Sequence, residues 1–178
     1  LAYRGFSGNE GKPNEKGLYK DSDAAKRWLN KNGVDNNNII LYGESLGTAI
    51  AVDLASKNSF AGIILESPFT SMVKLAKKYY PYLPVKILLK DKFDTESKLK
   101  SLNTPILVMH GRKDNIVPFE MGKEIFNNSK EPKFKYFNDI DDHIMDYNVD
   151  LIKSINKFKS KHVFKVYLKI FGKFIDNK

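Results

Sequence analysis

The chain has no cysteine. A disulfide framework and a thiolate zinc site are therefore both excluded, and the composition suits a reducing, cytoplasmic setting. Histidine is scarce, with three residues, so an imidazole base must be His110, His143 or His162. No apolar run reaches the roughly 18 residues of a spanning helix, and the first residue is leucine, not methionine. No Gly-rich phosphate loop and no metal-ligand cluster is visible, so no cofactor and no metal are expected. Charge of one sign is in deficit: 21 acidic against 30 basic residues give a net charge of +9. That excess invites a phosphate-backbone reading. The lysines are scattered among acidic residues and no nucleic-acid motif accompanies them, so no specific nucleic-acid partner is expected.

What the chain does have is a core. At 178 residues, 42% hydrophobic and 12% aromatic, it suits one folded domain. Its most informative stretch is Gly43-Glu44-Ser45-Leu46-Gly47. The apolar run 39–42 ahead of it reads as a buried strand, and Leu46, Ile50, Ala51, Leu54 and Ala55 after it fall at helical spacing. A serine on such a strand-to-helix turn takes a strained backbone that lifts its hydroxyl above the sheet edge. Glycines two residues to either side let strand and helix pass closely. Ser45 is the candidate nucleophile; the bland alternative is a small residue filling a tight turn.

The partners of such a serine follow as acid and then histidine, each in a loop after a later strand. Residues 105–110 form a strand pattern leading into a turn that carries Asp114, the candidate acid. Residues 133–137 alternate polar and aromatic, and they run into the loop that carries His143, the candidate base. Asp139, Asp141 and Asp142 crowd His143 and stay open as substitutes for Asp114, while His110 reads as structural. The pattern also predicts a helix over 21–32, capped by Asp21 or Ser22 with Ala24, Ala25, Trp28 and Leu29 inward. Further expectations are a strand end and loop over 1–8, a strand over 61–66, and helices over 71–80, 121–127 and 148–158. The tail, 161–178, carries Phe164, Tyr167, Leu168 and Phe171 among lysines and reads as a basic amphipathic helix. Either it packs on the domain or it lies on an anionic membrane surface.

With these motifs in place, the chain resembles the α/β-hydrolase superfamily, most closely its Bem46-like branch with the α/β-hydrolase domain-containing proteins of types 13 and 17. The resemblance rests on Tyr3-Arg4-Gly5-Phe6-Ser7-Gly8, Glu15-Lys16-Gly17-Leu18-Tyr19, the elbow, Ala61 through Ser71 with Glu66-Ser67-Pro68-Phe69, and the Asp114 and His143 segments. It implies an α/β fold with a mostly parallel sheet and helices on both faces. The hydrolase domain would occupy 1–160, with a small lid at about 72–101. It also implies that the Tyr-Arg-Gly segment closes the fourth strand, so that the earlier strands and the loop giving one oxyanion donor lie ahead of Leu1, an N-terminally truncated fold. The other donor would be the N–H of Leu46. Arg4 and Arg112 are candidate anion-binding residues by their charge, whereas the resemblance implies a structural role for both. The implied activity is a serine hydrolase acting on an acyl ester or thioester through Ser45, His143 and Asp114. A serine peptidase of the same fold and a catalytically impaired remnant remain as alternatives.

Overall fold

The computed structural model describes residues 2–161. After an N-terminal loop come helix α1 (Glu15–Lys31), a short 3-10 turn (Asn36–Asn38), strand β1 (Ile40–Glu44) and helix α2 (Leu46–Lys57). Strand β2 (Gly62–Glu66) leads to three short helices, α3 (Met72–Tyr79), α4 (Val85–Leu88) and α5 (Thr95–Leu99). Then follow β3 (Ile106–Gly111), α6 (Phe119–Asn128), β4 (Lys133–Asn138) and a helix over 149–161, here α7. The strands pair in sequence order, all parallel, from Ile40 opposite Gly62 to Gly111 opposite Asn138.

Parallel strands joined by helices bury both faces, and the side-chain alternation explains how. Ile63, Leu65, Ile106 and Val108 point to one face and pack with Val52 and Leu54 of α2, Leu99 of α5 and Ile125 of α6. The intervening Ile64, Leu107 and Met109 point to the other, against Leu151 and Phe158 of α7. Helices therefore cover both faces, as expected. Each such fully buried aliphatic or aromatic side chain contributes about 1.5–3 kcal/mol relative to exposure, so β2 and β3, buried along their whole lengths, anchor the molecule. The edges are less covered: β1 and β4 are half-buried.

Several expectations are corrected. Helix α1 begins six residues before 21, because Asn14 caps it by accepting from the Gly17 N–H at 2.9 Å, with Glu15 in the first turn. Its inner face is Leu18 and Ser22 with the half-buried Ala25 and Leu29; Ala24 and Trp28 face solvent. Ser22 is tolerated there because its hydroxyl donates to the Tyr19 carbonyl at 2.9 Å. No strand end forms over 2–8, where the chain makes turns, and Arg4 grips Asp21 at 2.6 Å. Within residues 72–101, Val85, Phe93 and Leu99 are buried, and Lys98 pairs with buried Asp53 at 2.8 Å. The predicted tail helix over 161–178 lies, but for Lys161 at the end of α7, outside the described residues.

Candidate active site

Ser45 ends β1 and opens α2 with φ 49° and ψ −115°, a conformation that costs an L-residue of order 1–3 kcal/mol. The surroundings hold it there. Its N–H donates to the Glu66 carbonyl at 2.9 Å and its own carbonyl accepts from the Thr48 N–H at 3.0 Å and the Thr48 hydroxyl at 2.5 Å. A Cβ on Gly43 would stand 2.5 Å from the Gly47 carbonyl oxygen, so glycine is required where strand and helix pass. Gly47 is different: a Cβ there would meet nothing within 4 Å. The expectation that both glycines serve the close passage therefore holds for Gly43 alone. Ser45 Oγ and the Leu46 N–H make no hydrogen bond among the described residues. The latter is one of the unpaired donors of a helix N-terminus.

Asp114 follows β3 and is fully buried at its side chain. One carboxylate oxygen accepts from the N–H groups of Ile116 (2.9 Å) and Val117 (2.7 Å). The other lies 2.8 Å from His143 Nδ1 and 3.1 Å from His110 Nε2. Burial by itself would raise the Asp114 pKa; the hydrogen bonds from His110, His143 and the two backbone groups outweigh it and hold the acid well below the usual carboxylate range. His143 itself sits in the loop after β4, with a side chain 12% exposed.

None of the three alternative acids reaches the His143 ring. Asp139 pairs with Arg112 at 2.6 Å at the surface, and Asp142 accepts from the backbone N–H of His143 at 2.6 Å. Asp141 is buried with one carboxylate oxygen unpartnered; burial first, then Asp146 and Glu66, pushes its pKa up.

Three further residues hold the site together, none of them given a role in it by the sequence alone. His110 is one: buried, with Nε2 facing the Val117 carbonyl at 3.0 Å as well as Asp114, so that Nε2 carries a proton. Glu66 and Ser67 are the others, at the end of β2. The Glu66 carboxylate, 1% exposed, accepts from Tyr42, from Tyr147 at 2.9 Å and from the Met145 N–H at 3.3 Å. Ser67 Oγ donates to the His143 carbonyl at 2.8 Å. The end of β2 thus holds Ser45 on one side and the His143 loop on the other. Its position at the C-terminal end of a central parallel strand, in register with Glu44, is the clue that could have singled it out.

Beside the site, α3 leans on the same cluster as the elbow, with Met72, Leu75 and Leu46 packed around Ile50 and Phe69. On the far side, a groove of about 220 Å³ runs along the free edge of β1, lined by Tyr3, Leu29, Leu41, Tyr42, Gly47 and Ile50 among others. Among the described residues, no group of three or more His, Asp or Glu side chains could hold a metal.

Comparison with known proteins gives the constellation a context. The prolyl oligopeptidase family (Peptidase_S9) matches residues 10–162. An uncharacterised protein of Mycobacterium tuberculosis is 41% identical over 132 residues, covering 74% of this chain and 47% of that protein. Human α/β-hydrolase domain-containing protein 17B is 36% identical over 137 residues, covering 73% and 44%. The chain thus spans less than half the length of these curated relatives. Among solved structures, an esterase of Pyrococcus furiosus superposes with a TM-score of 0.70 at 20% identity, covering 90% of this chain and 68% of that one. At that identity the likeness speaks for the fold alone.

Proposed function

The chain belongs to the prolyl oligopeptidase family of α/β-hydrolases, and from that premise we propose that it forms the catalytic part of a serine hydrolase cleaving acyl esters or thioesters. The observation that carries the proposal is the buried Asp114 carboxylate 2.8 Å from His143 Nδ1, on a sheet whose first strand ends in a serine at φ 49°. In the proposed reaction His143 Nε2 takes the Ser45 Oγ proton as the oxygen attacks the substrate carbonyl. Asp114 accepts from Nδ1 and so fixes the tautomer and stabilises the imidazolium that forms. The Leu46 N–H donates to the developing oxyanion; one such donor is worth about 10²- to 10³-fold in rate. His143 then protonates the departing alcohol or thiol. Water, losing its proton to His143, attacks the acyl-serine and releases the acid and the free serine.

The relative named for its α/β-hydrolase domain supports a hydrolytic reaction, and an ester or thioester is the acyl substrate we favour for it. The family description supports a second reading, a peptidase with an amide substrate. We place the activity in the cytoplasm, within reach of a membrane. A fluorophosphonate probe tests the nucleophile: it should label the full-length protein and not its Ser45→Ala form, and an unlabelled full-length protein would overturn the proposal. Turnover of matched ester, thioester and amide substrates then separates the two readings.

A further inference from the structure

Residues 67–90 contain no aspartate or glutamate, yet they hold five lysines and three tyrosines. The first lysine, Lys74, is neutralised by Glu96 and Glu124. Lys77, Lys78, Lys86 and Lys90 are exposed and have no ion-pair partner among the described residues. Between them the chain turns at Pro81 and Pro84 and sets apolar side chains in solvent: Tyr82 is 97% exposed, Ile87 83%, Leu88 60%, Tyr80 59% and Leu83 51%. A contiguous patch of this kind marks an interaction surface. Val85 is buried beneath it, so the segment is seated on the domain and does not trail from it.

The chemistry selects the occupant. Aliphatic tips beside tyrosines, ringed by unpaired ammonium groups, match the layered structure of an anionic bilayer, with apolar groups entering among the acyl chains, tyrosines at the headgroup level and lysines on the phosphates. We infer that the 77–90 surface docks this protein on an anionic lipid bilayer. The surface is tied to the site. Tyr79 donates to the carbonyls of Asn115 and Ile116, each at 2.7 Å, in the turn whose N–H groups hold Asp114, and half-exposed Ile116 lies beside it. A docked lid therefore brings the Ser45 entrance to the membrane, and the substrate class becomes an acyl ester or thioester resident in the bilayer. That last step rests on the hydrolase reading; the docking does not.

The test uses the full chain in the Ser45→Ala form, sedimented with phosphatidylcholine vesicles containing about one third phosphatidylserine. Binding is expected, with affinity falling steeply from low to physiological salt and absent on pure phosphatidylcholine. Lys77→Glu, Lys78→Glu, Lys86→Glu and Lys90→Glu together should weaken it by a hundredfold or more, at about one kcal/mol per basic residue. Tyr82→Ser with Ile87→Ser should weaken it about tenfold with the salt dependence kept. All six sites are exposed, and unchanged urea unfolding verifies the fold of each variant. Equal binding to neutral vesicles, or binding that ignores both sets of variants and follows the 162–178 tail instead, overturns the proposal. So does a surface that binds an acidic protein but no vesicle. In the Ser45-intact protein the lysine variant should keep probe labelling and hydrolysis of a soluble short-chain ester while losing turnover of a vesicle-borne one. Vesicle binding without probe labelling would leave the docking standing and remove the hydrolase reading; labelling without vesicle binding would do the reverse.

Discussion

At the imidazole end of the site, Asp114 is wholly buried and accepts from His143, His110 and two backbone N–H groups. At the serine end, Ser45 Oγ and the Leu46 N–H have no hydrogen-bond partner among the described residues, and Gly47 faces open space. Under the proposed mechanism, the contrast follows from what each end would have to do. A carboxylate that steadies an imidazolium works only if its own geometry is locked, so its hydrogen bonds are filled before any substrate arrives. An oxyanion donor must stay open until the substrate's oxygen arrives, and a nucleophile's oxygen must stay accessible to the carbonyl it attacks while its proton is within reach of the base. The serine end is therefore held through its backbone, by hydrogen bonds to Glu66 and Thr48 and by the close passage at Gly43, and the imidazole end through its side chains, by charge and hydrogen bonds.

The sharpest way to break this comparison is Asp114→Asn. If the filled end orients the base, kcat for ester hydrolysis by the full-length protein should fall by about 10⁴-fold, as it does when the acid of such a triad is replaced, and fluorophosphonate labelling should slow in parallel. Unchanged turnover would return the acid role to Asp139, Asp141 or Asp142. At the serine end, Gly43→Ala should lower unfolding stability in urea by about 2–4 kcal/mol, because backbone must move away from the new methyl. Gly47→Ala, in ordinary helix facing open space, should change it by no more than about 1 kcal/mol and in the stabilising direction. Equal losses at both glycines would contradict the asymmetry described here.

A milder test addresses the strand end that joins the two halves. Glu66→Gln keeps the size of the side chain but weakens its hold on Tyr42, Tyr147 and Met145. It should reduce kcat by about tenfold with KM little changed, the expected mark of a positioning residue; one lost hydrogen bond to a charge is worth about 1.5–3 kcal/mol. A change confined to KM would place Glu66 in substrate binding instead.

The smallest effect concerns pH. The folded pKa of Asp141 is raised, so its ionised form is disfavoured in the native state and stability is lost as pH rises from about 4 through that folded value. Asp141→Asn should therefore be more stable than the parent at pH 7, by about 1 kcal/mol. The difference should vanish below about pH 4. Asp114 works with the opposite sign: its contribution is present above about pH 4 and lost as pH falls toward its lowered folded pKa. Unfolding curves across pH 3 to 7 for the two variants measure both.

Much of this was legible one residue at a time. The elbow strand, α2, β2, β3 and β4 all lie within a residue or two of the pattern-based expectation, because runs such as 106–109 are continuously apolar and followed by turn residues. Helix α1 starts earlier than its periodicity suggests because its first turn, Glu15-Lys16-Gly17, is polar and follows Pro13, and the cap at Asn14 outweighs both. With that earlier start the inward line runs 18, 22, 25, 29 and passes Trp28 by. The role of Glu66 is hidden for a different reason. A glutamate after an apolar strand reads as the strand's polar end until the folded chain brings Met145 and Tyr147 back over it, about 80 residues later in sequence.

What the sequence by itself determined is everything that depends on local periodicity and spacing: the succession of strands and helices, the sharp turn at Ser45, and the order in which an acid and a histidine follow it. Only the tertiary structure decided which carboxylate meets His143, that His110 shares the same acid, and that the end of β2 ties the nucleophile's strand to the histidine loop. The physical reason is one of range. Strand, helix and turn preferences act between residues a few positions apart, whereas a 2.8 Å bond between Asp114 and His143 exists only because parallel pairing of β3 with β4 brings two loops, 29 residues apart, to the same edge of the sheet.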